Sequence, residues 1–110
     1  AVEGTDYLAP HNTTVTATST FSNQVAKVSR VGNVVAVTAP MLTNYTTPGG
    51  YPAYCTLPDG YRPSDIKDIV IAIDGSHFAN IQIAPNGTVS VGILGSSGAA
   101  TFRLNFTFVI

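Results

Sequence analysis

The sequence predicts an all-β fold, an antiparallel β-sandwich or jelly-roll-like barrel of about seven or eight short strands. Three observations predict it. Apolar and polar residues alternate with a period of two along much of the chain, while no window of about 11 residues carries a helical stripe. The breaks between alternating stretches hold Gly, Pro and Asn, the residues of tight turns. Apolar residues make up 45% of the 110, which supplies one core and not two.

The elements follow in order. Residues 13–21 are rich in β-branched Thr, which favours an extended segment. Residues 28–31 and 34–38 flank Gly32-Asn33, a two-residue connection that predicts a tight hairpin. Residues 51–57 form a strand between the turns Pro48-Gly49-Gly50 and Pro58-Asp59-Gly60. Ile69, Ile71 and Ile73 share one face with Val70 and Ala72 opposite, so this strand is expected to be covered on both sides. Residues 78–83 and the face of Val89, Val91 and Ile93 flank Pro85-Asn86-Gly87, the stronger hairpin signal. Gly95-Ser96-Ser97-Gly98 reads as a flexible loop. Phe102, Leu104, Phe106, Phe108 and Ile110 give the last strand, residues 102–110, one fully apolar face.

Charge narrows the function. Only 10% of residues are charged, against about 25% in a typical domain. The net charge of −1 provides no cluster of Lys and Arg for nucleic acid or an anionic bilayer. The longest aliphatic run, Ile69-Val70-Ile71-Ala72-Ile73, falls far short of the roughly 20 residues of a membrane-spanning helix, so no membrane insertion is expected. Polarity comes instead from Thr, Ser and Asn, a surface suited to extracellular proteins or large assemblies. Cys55 is the single cysteine and reads as a buried, inert thiol in a strand. The chain opens Ala1-Val2-Glu3-Gly4, with neither Met nor a signal-peptide pattern, and reads as a processed product or a domain cut from a longer chain.

Several strings together carry a resemblance. Residues 30–39 read Arg-Val-Gly-Asn-Val-Val-Ala-Val-Thr-Ala, followed by Leu57-Pro58-Asp59-Gly60-Tyr61-Arg62-Pro63. Ile81 to Ala84 and Asn86-Gly87-Thr88-Val89-Ser90-Val91 come next. In this order the strings resemble the carboxy-terminal head domains of bacteriophage receptor-binding and tail-fibre proteins, of the lactococcal siphophage type. The similarity covers residues 24–110 as the head, and residues 1–23 then form an amino-terminal segment with a neck-proximal linker and the first strand.

The resemblance implies an extracellular homotrimeric head at the virion's tail tip or baseplate, with no cofactor. Such a head binds bacterial cell-wall or envelope saccharide non-covalently. It joins the phage baseplate or tail proteins through an amino-terminal region missing from this sequence. The sequence departs from the family in holding no Trp, so an aromatic sugar platform has to be Tyr or Phe.

Six of the 11 charged residues fall between Asp59 and Asp74. Carboxylates and amides recognise sugar hydroxyls, and aromatic faces cover the C–H surface. Asp74-Gly75-Ser76-His77-Phe78 offers that set at the end of an apolar strand. Two readings stand: Asp74 caps a hairpin turn with His77 exposed, or Asp74 and His77 converge on one hydroxyl pair. Arg103 is either a solvated outward residue or a partner for Asp74. If residues 69–73 and 102–110 share a sheet, Arg103 reaches the same pocket as His77. Arg62 is expected to satisfy loop carbonyls. Tyr45, Tyr51, Tyr54 and Tyr61 cluster within 17 residues and are either sugar platforms or ordinary sheet and interface residues. The ranked saccharide contacts are His77, Asp74 and Arg103, then Ser76 and Tyr54.

Catalysis is not expected. Ser76 beside His77 and Asp74 is adjacency in sequence and not triad geometry. Gly95-Ser96-Ser97-Gly98 is not a nucleophile elbow. Asp65 and Asp68 read as solvated loop charges, and no Cys/His metal spacing occurs, although loop carboxylates leave a Ca²⁺ site open. Two alternatives stand beside the phage head. Asn-x-Ser/Thr triplets at Asn12, Asn44, Asn86 and Asn105 suit a secreted adhesion or cytokine-like sandwich. A purely structural trimeric virion domain is the other.

Overall fold

The computed structural model of the chain describes residues 11–45, 50–95 and 99–110. The expected turn at Pro48-Gly49 and loop at Ser96-Ser97-Gly98 lie outside these residues. The described residues form ten strands: β1 His11–Thr16, β2 Val25–Val31, β3 Val34–Thr38, β4 Met41–Tyr45, β5 Ala53–Thr56, β6 Lys67–Ala72, β7 His77–Ile83, β8 Thr88–Gly95, β9 Ala100–Arg103 and β10 Phe106–Val109. A 3₁₀ turn, Ser19–Phe21, lies between β1 and β2.

All pairings are antiparallel. The strands form one sheet in the order β1-β2-β3-β10, a second in the order β5-β8-β7-β6, and a ribbon of β4 with β9. The edges of the two larger sheets approach each other, β1 towards β5 and β10 towards β6. The result is a β-sandwich. The pairs β3–β10, β4–β9, β5–β8 and β6–β7 are nested one inside the next, as in a jelly roll. β7 and β8 also pair, which keeps the last four strands in one sheet.

Alternation builds the core. Val28, Val35, Val37, Phe106 and Phe108 from the first sheet meet Ala79, Ile81, Ile83, Val89 and Val91 from the second, all buried. At one end an aromatic cluster ties the ribbon to the sandwich. Phe21 stacks on Tyr45 with ring centres 5.1 Å apart and meets Tyr54 edge-on at 5.0 Å, while Tyr45 meets Phe102 edge-on at 5.8 Å. Val15, Ala17 and Phe21, from the segment preceding residue 24, belong to this same core.

The turns obey their chemistry. Val31 pairs with Val34 across Gly32-Asn33, and Gly32 takes the positive φ of 60° that a right-twisted hairpin requires. At the β7–β8 turn, the Gly87 N–H donates to the Ala84 carbonyl at 2.9 Å, and the Asn86 side-chain oxygen accepts the Thr88 N–H at 3.0 Å. The loop after β5 closes over this turn. The Leu57 N–H donates to the Gly87 carbonyl at 2.8 Å, and Arg62 Nε donates to the Leu57 carbonyl at 2.7 Å. Arg30 Nη1 donates to the Gly60 carbonyl at 2.6 Å, drawing β2 into the same knot.

Four expectations are corrected. Residues 13–21 are not one strand. The chain turns after Thr16 because the Thr18 carbonyl accepts the N–H groups of Phe21 and Asn23, which delivers Phe21 to the core. The strand at 69–73 is not covered on both sides, since β6 is a sheet edge and Val70 is 64% exposed. The last strand is two. Opposite its break lies Pro40, which has no N–H for the ladder, and Asn105 Oδ1 accepts the Ala39 N–H at 3.1 Å instead. Strand β4 was not expected from the pattern at all, and it raises the total above seven or eight.

Gly87 has φ of 93°, and a Cβ there would sit 2.5 Å from the Leu57 carbonyl oxygen and 2.6 Å from Arg62 Nε. Gly60 has φ of 90° with nothing within 4 Å of its Cβ direction. Gly60→Ala is therefore expected to cost about 1–2 kcal/mol and Gly87→Ala at least about 1 kcal/mol more. Urea unfolding of the two variants measures the difference, and equal midpoints would refute the clasp.

Candidate functional site

The β6–β7 hairpin positions Asp74, Ser76 and His77. Ala72 pairs with Phe78, and the N–H groups of Ile73 and Asp74 both point at the His77 carbonyl, at 3.2 and 3.4 Å. Asp74 caps the turn. Its Oδ1 accepts the N–H groups of Ser76 and His77, each at 2.8 Å. His77 Nδ1 lies 2.9 Å from both carboxylate oxygens. A carboxylate only accepts, so Nδ1 carries the hydrogen. Ser76 Oγ is 3.3 Å from Asp74 Oδ1 and 3.2 Å from His77 Nδ1.

Alternation then decides what each residue shows to solvent. His77 stands on the same face of β7 as Ala79, Ile81 and Ile83, and it is buried. Its Nε2 is enclosed with no hydrogen-bond partner. Of the two readings, the cap is present, but His77 is buried and not exposed. Asp74 and Ser76 are the solvent-facing members. The set is not a nucleophilic triad, because serine and aspartate both address Nδ1 while Nε2 faces the interior.

Donors hold the Asp74 carboxyl below its usual value: first the Ser76 N–H and then the His77 ring, partly opposed by burial, with smaller lowering contributions from the His77 N–H and the His77 charge. Among the described residues, no three His, Cys, Asp or Glu converge on a point that could hold a metal ion.

The remaining ranked residues lie elsewhere. Arg103 does not share a sheet with β6. It pairs in register with Met41 on β4, its side chain is exposed, and it forms no ion pair with Asp74. The nested pairing forces this, because β9 zips to β4 in the ribbon while β6 lies at the far edge of the second sheet. Tyr54 is no sugar platform. It is fully buried, packs edge-on against Phe21 and donates its hydroxyl hydrogen to Gln24 Oε1. Burial raises its hydroxyl pKa, as it does that of Tyr45. Burial likewise pushes the Cys55 thiol up to about 12.

Arg62 satisfies the Leu57 carbonyl and pairs with Asp59 at 2.9 Å, as a loop-bracing arginine. Tyr61 is half-buried against the core. Tyr51 alone of the four clustered tyrosines is widely exposed, at 48%. Its ring lies against Gly92, and its hydroxyl accepts a hydrogen bond from Asn80 Nδ2 at 2.9 Å. Sequence reasoning missed Asn80 and Gly92. The available signal was a glycine inside an apolar strand, which marks a close approach. Two open grooves, of about 520 Å³ beside Gln24 and Tyr45 and about 430 Å³ beside Thr14 and Lys27, contain none of the ranked residues.

The sign of the Asp74 effect follows from its direction. A carboxyl depressed in the folded state adds stability above its unfolded pKa, near 3.8, and loses it as pH falls towards the folded value. Asp74→Asn is expected to lower stability at pH 7 and to flatten its fall below about pH 4. Thermal melts from pH 7 to pH 2 test this, and parallel curves for the two proteins would contradict it.

A scan against models of known protein families finds no match, and no curated protein matches the chain.

Proposed function

We propose that this domain is the head of a phage receptor-binding protein, which attaches a virion to its host by non-covalent binding of a bacterial envelope saccharide. The observation that carries the reading is the interlocking of the strings on which the resemblance rests. Arg30, the Leu57–Arg62 loop and the Asn86-Gly87 turn are far apart in sequence and are hydrogen-bonded into one unit. A resemblance spread over one structural unit is worth more than the same number of unconnected turns.

The exposed Asp74 carboxylate and Ser76 hydroxyl are the proposed sugar contacts at the hairpin. His77 is a positioning residue that holds Asp74 from below. The buried Nε2 supports binding rather than proton transfer at this turn. A homotrimer multiplies three weak sites by avidity, and many heads on one virion multiply them again. One observation favours the second reading, a structural virion domain. Val31, Val34 and Val109 form a cross-strand row on the outer face of the first sheet, each exposed by more than two-fifths, which suits packing against other subunits.

Light scattering on the purified domain is expected to give three times the chain mass. Calorimetry against saccharide fragments of a host envelope is expected to show binding that Ser76→Ala weakens with the mass unchanged. Binding that ignores both Ser76→Ala and Asp74→Asn would remove the turn from the site. A trimer that binds none of the fragments would favour the structural reading.

A further inference from the structure

We propose that the outer face of the β5-β8-β7-β6 sheet carries a platform for a neutral hexopyranose, centred on Tyr51 and distinct from the Asp74 turn. The proposal rests on the adhesion reading above and adds a second contact region to it.

The argument starts from Gly92. A Cβ at this position would fall 2.8–3.0 Å from three ring atoms of Tyr51, so the ring lies directly on the strand where a side chain would stand. Only glycine admits that approach. Asn80 is the register partner of Gly92 on β7, and its amide ties down the Tyr51 hydroxyl. The ring is therefore fixed at both ends while about half of the residue stays open to solvent. A rigid aromatic ring with one bare side is the surface on which the C–H side of a pyranose stacks, and it loses little conformational freedom on binding.

The neighbours suit a sugar. One row along the sheet, Gln82 pairs with Ser90 on the same face, offering an amide and a hydroxyl to vicinal hydroxyls. Asn80 Oδ1 is enclosed, so Asn80 holds the ring in place and leaves the sugar hydroxyls to Gln82 and Ser90. Val70, paired with Asn80 in the same row, is 64% exposed, and Phe78 in the next row is 40% exposed, which extends the apolar part of the face. The single ionic group among the described residues of this face is Asp68, a carboxylate. A face with a carboxylate and no cation among its described strand residues disfavours phosphate- or carboxylate-bearing ligands, which is why the ligand is assigned as neutral.

The test is amide-resolved NMR of the ¹⁵N-labelled domain, titrated with methyl β-D-glucopyranoside, methyl N-acetyl-β-D-glucosaminide and sn-glycerol 1-phosphate. One or both neutral glycosides are expected to shift the Gly92 N–H and the Asn80 and Gln82 side-chain amides, saturating in the millimolar range, while glycerol phosphate leaves them in place. Tyr51→Ala should weaken this binding about fivefold or more. Gly92→Ala keeps the ring but lifts it from the strand, and it should weaken binding comparably, which covers the case of a misfolded Tyr51→Ala.

Shifts confined to residues 74–77, or unaltered by both variants, would overturn the platform and leave the adhesion reading standing. The absence of any shift with either glycoside would overturn the platform, while the adhesion reading stands or falls on the calorimetry with host envelope fragments. Shifts of this face that follow protein concentration without sugar would mean that a second copy covers it, and would also overturn the platform.

Discussion

Leu57 is held from three directions, and much of the sandwich depends on that hold. Its side chain is fully buried, its N–H is bonded to the Gly87 carbonyl, and its own carbonyl is bonded to the Arg62 guanidinium. The first two constraints fix where β5 leaves the core relative to where β8 enters it, which sets the β5–β8 register. The third folds residues 58–62 back over the β7–β8 turn. Buried backbone polar groups need partners, and this loop supplies them outside any ladder. Gly87 is the residue that makes the clasp possible, because its backbone conformation and the carbonyl above it exclude a side chain. Through Arg30 and the Gly60 carbonyl the same clasp reaches the first sheet, so the two halves of the sandwich are joined by polar bonds at this loop as well as by apolar packing.

The surface follows a different economy from that of most domains. With only 11 charged residues, hydroxyls and amides carry the polarity, and each sheet leaves apolar side chains in solvent. Such a surface is inexpensive to desolvate, because few ions have to give up water. That favours packing against copies of the same chain and binding of uncharged, hydroxyl-rich ligands. It disfavours the long-range steering that charged partners use. The adhesion reading and the structural reading both draw on this property. What separates them is local: two outward-facing groups on a rigid turn, and one tyrosine pinned to a bare strand.

The β6–β7 turn shows how a single carboxylate can organise a site and limit it. Asp74 gathers two backbone N–H groups and the His77 ring onto itself, which orders the turn without help from the rest of the chain. The same bonds leave His77 with no free hydrogen-bonding atom towards solvent. A residue that looked like the leading ligand in sequence is therefore support for its neighbour. Asp and His three apart in a tight turn meet each other before they meet anything else.

The sequence by itself determined the class of fold and most of its turns. Period-two alternation is a one-dimensional property that survives any arrangement of the sheets, so the buried series Phe102, Leu104, Phe106 and Phe108 was legible even though its strand breaks in the middle. Gly32 and the Asn86-Gly87 pair announced their hairpins because backbone conformation at a turn is local. Arg62 was legible as a loop brace, and Asp74 as a cap, for the same reason. Which strand lies beside which is a long-range matter, and only the tertiary structure decided it. Nested pairing sent Arg103 to the ribbon and away from Asp74, left β6 at an edge with Val70 in solvent, and buried Tyr54 while it exposed Tyr51. Four tyrosines within 17 residues are alike in composition, and their roles diverge because contacts across the sheet, not neighbours in the chain, set their exposure.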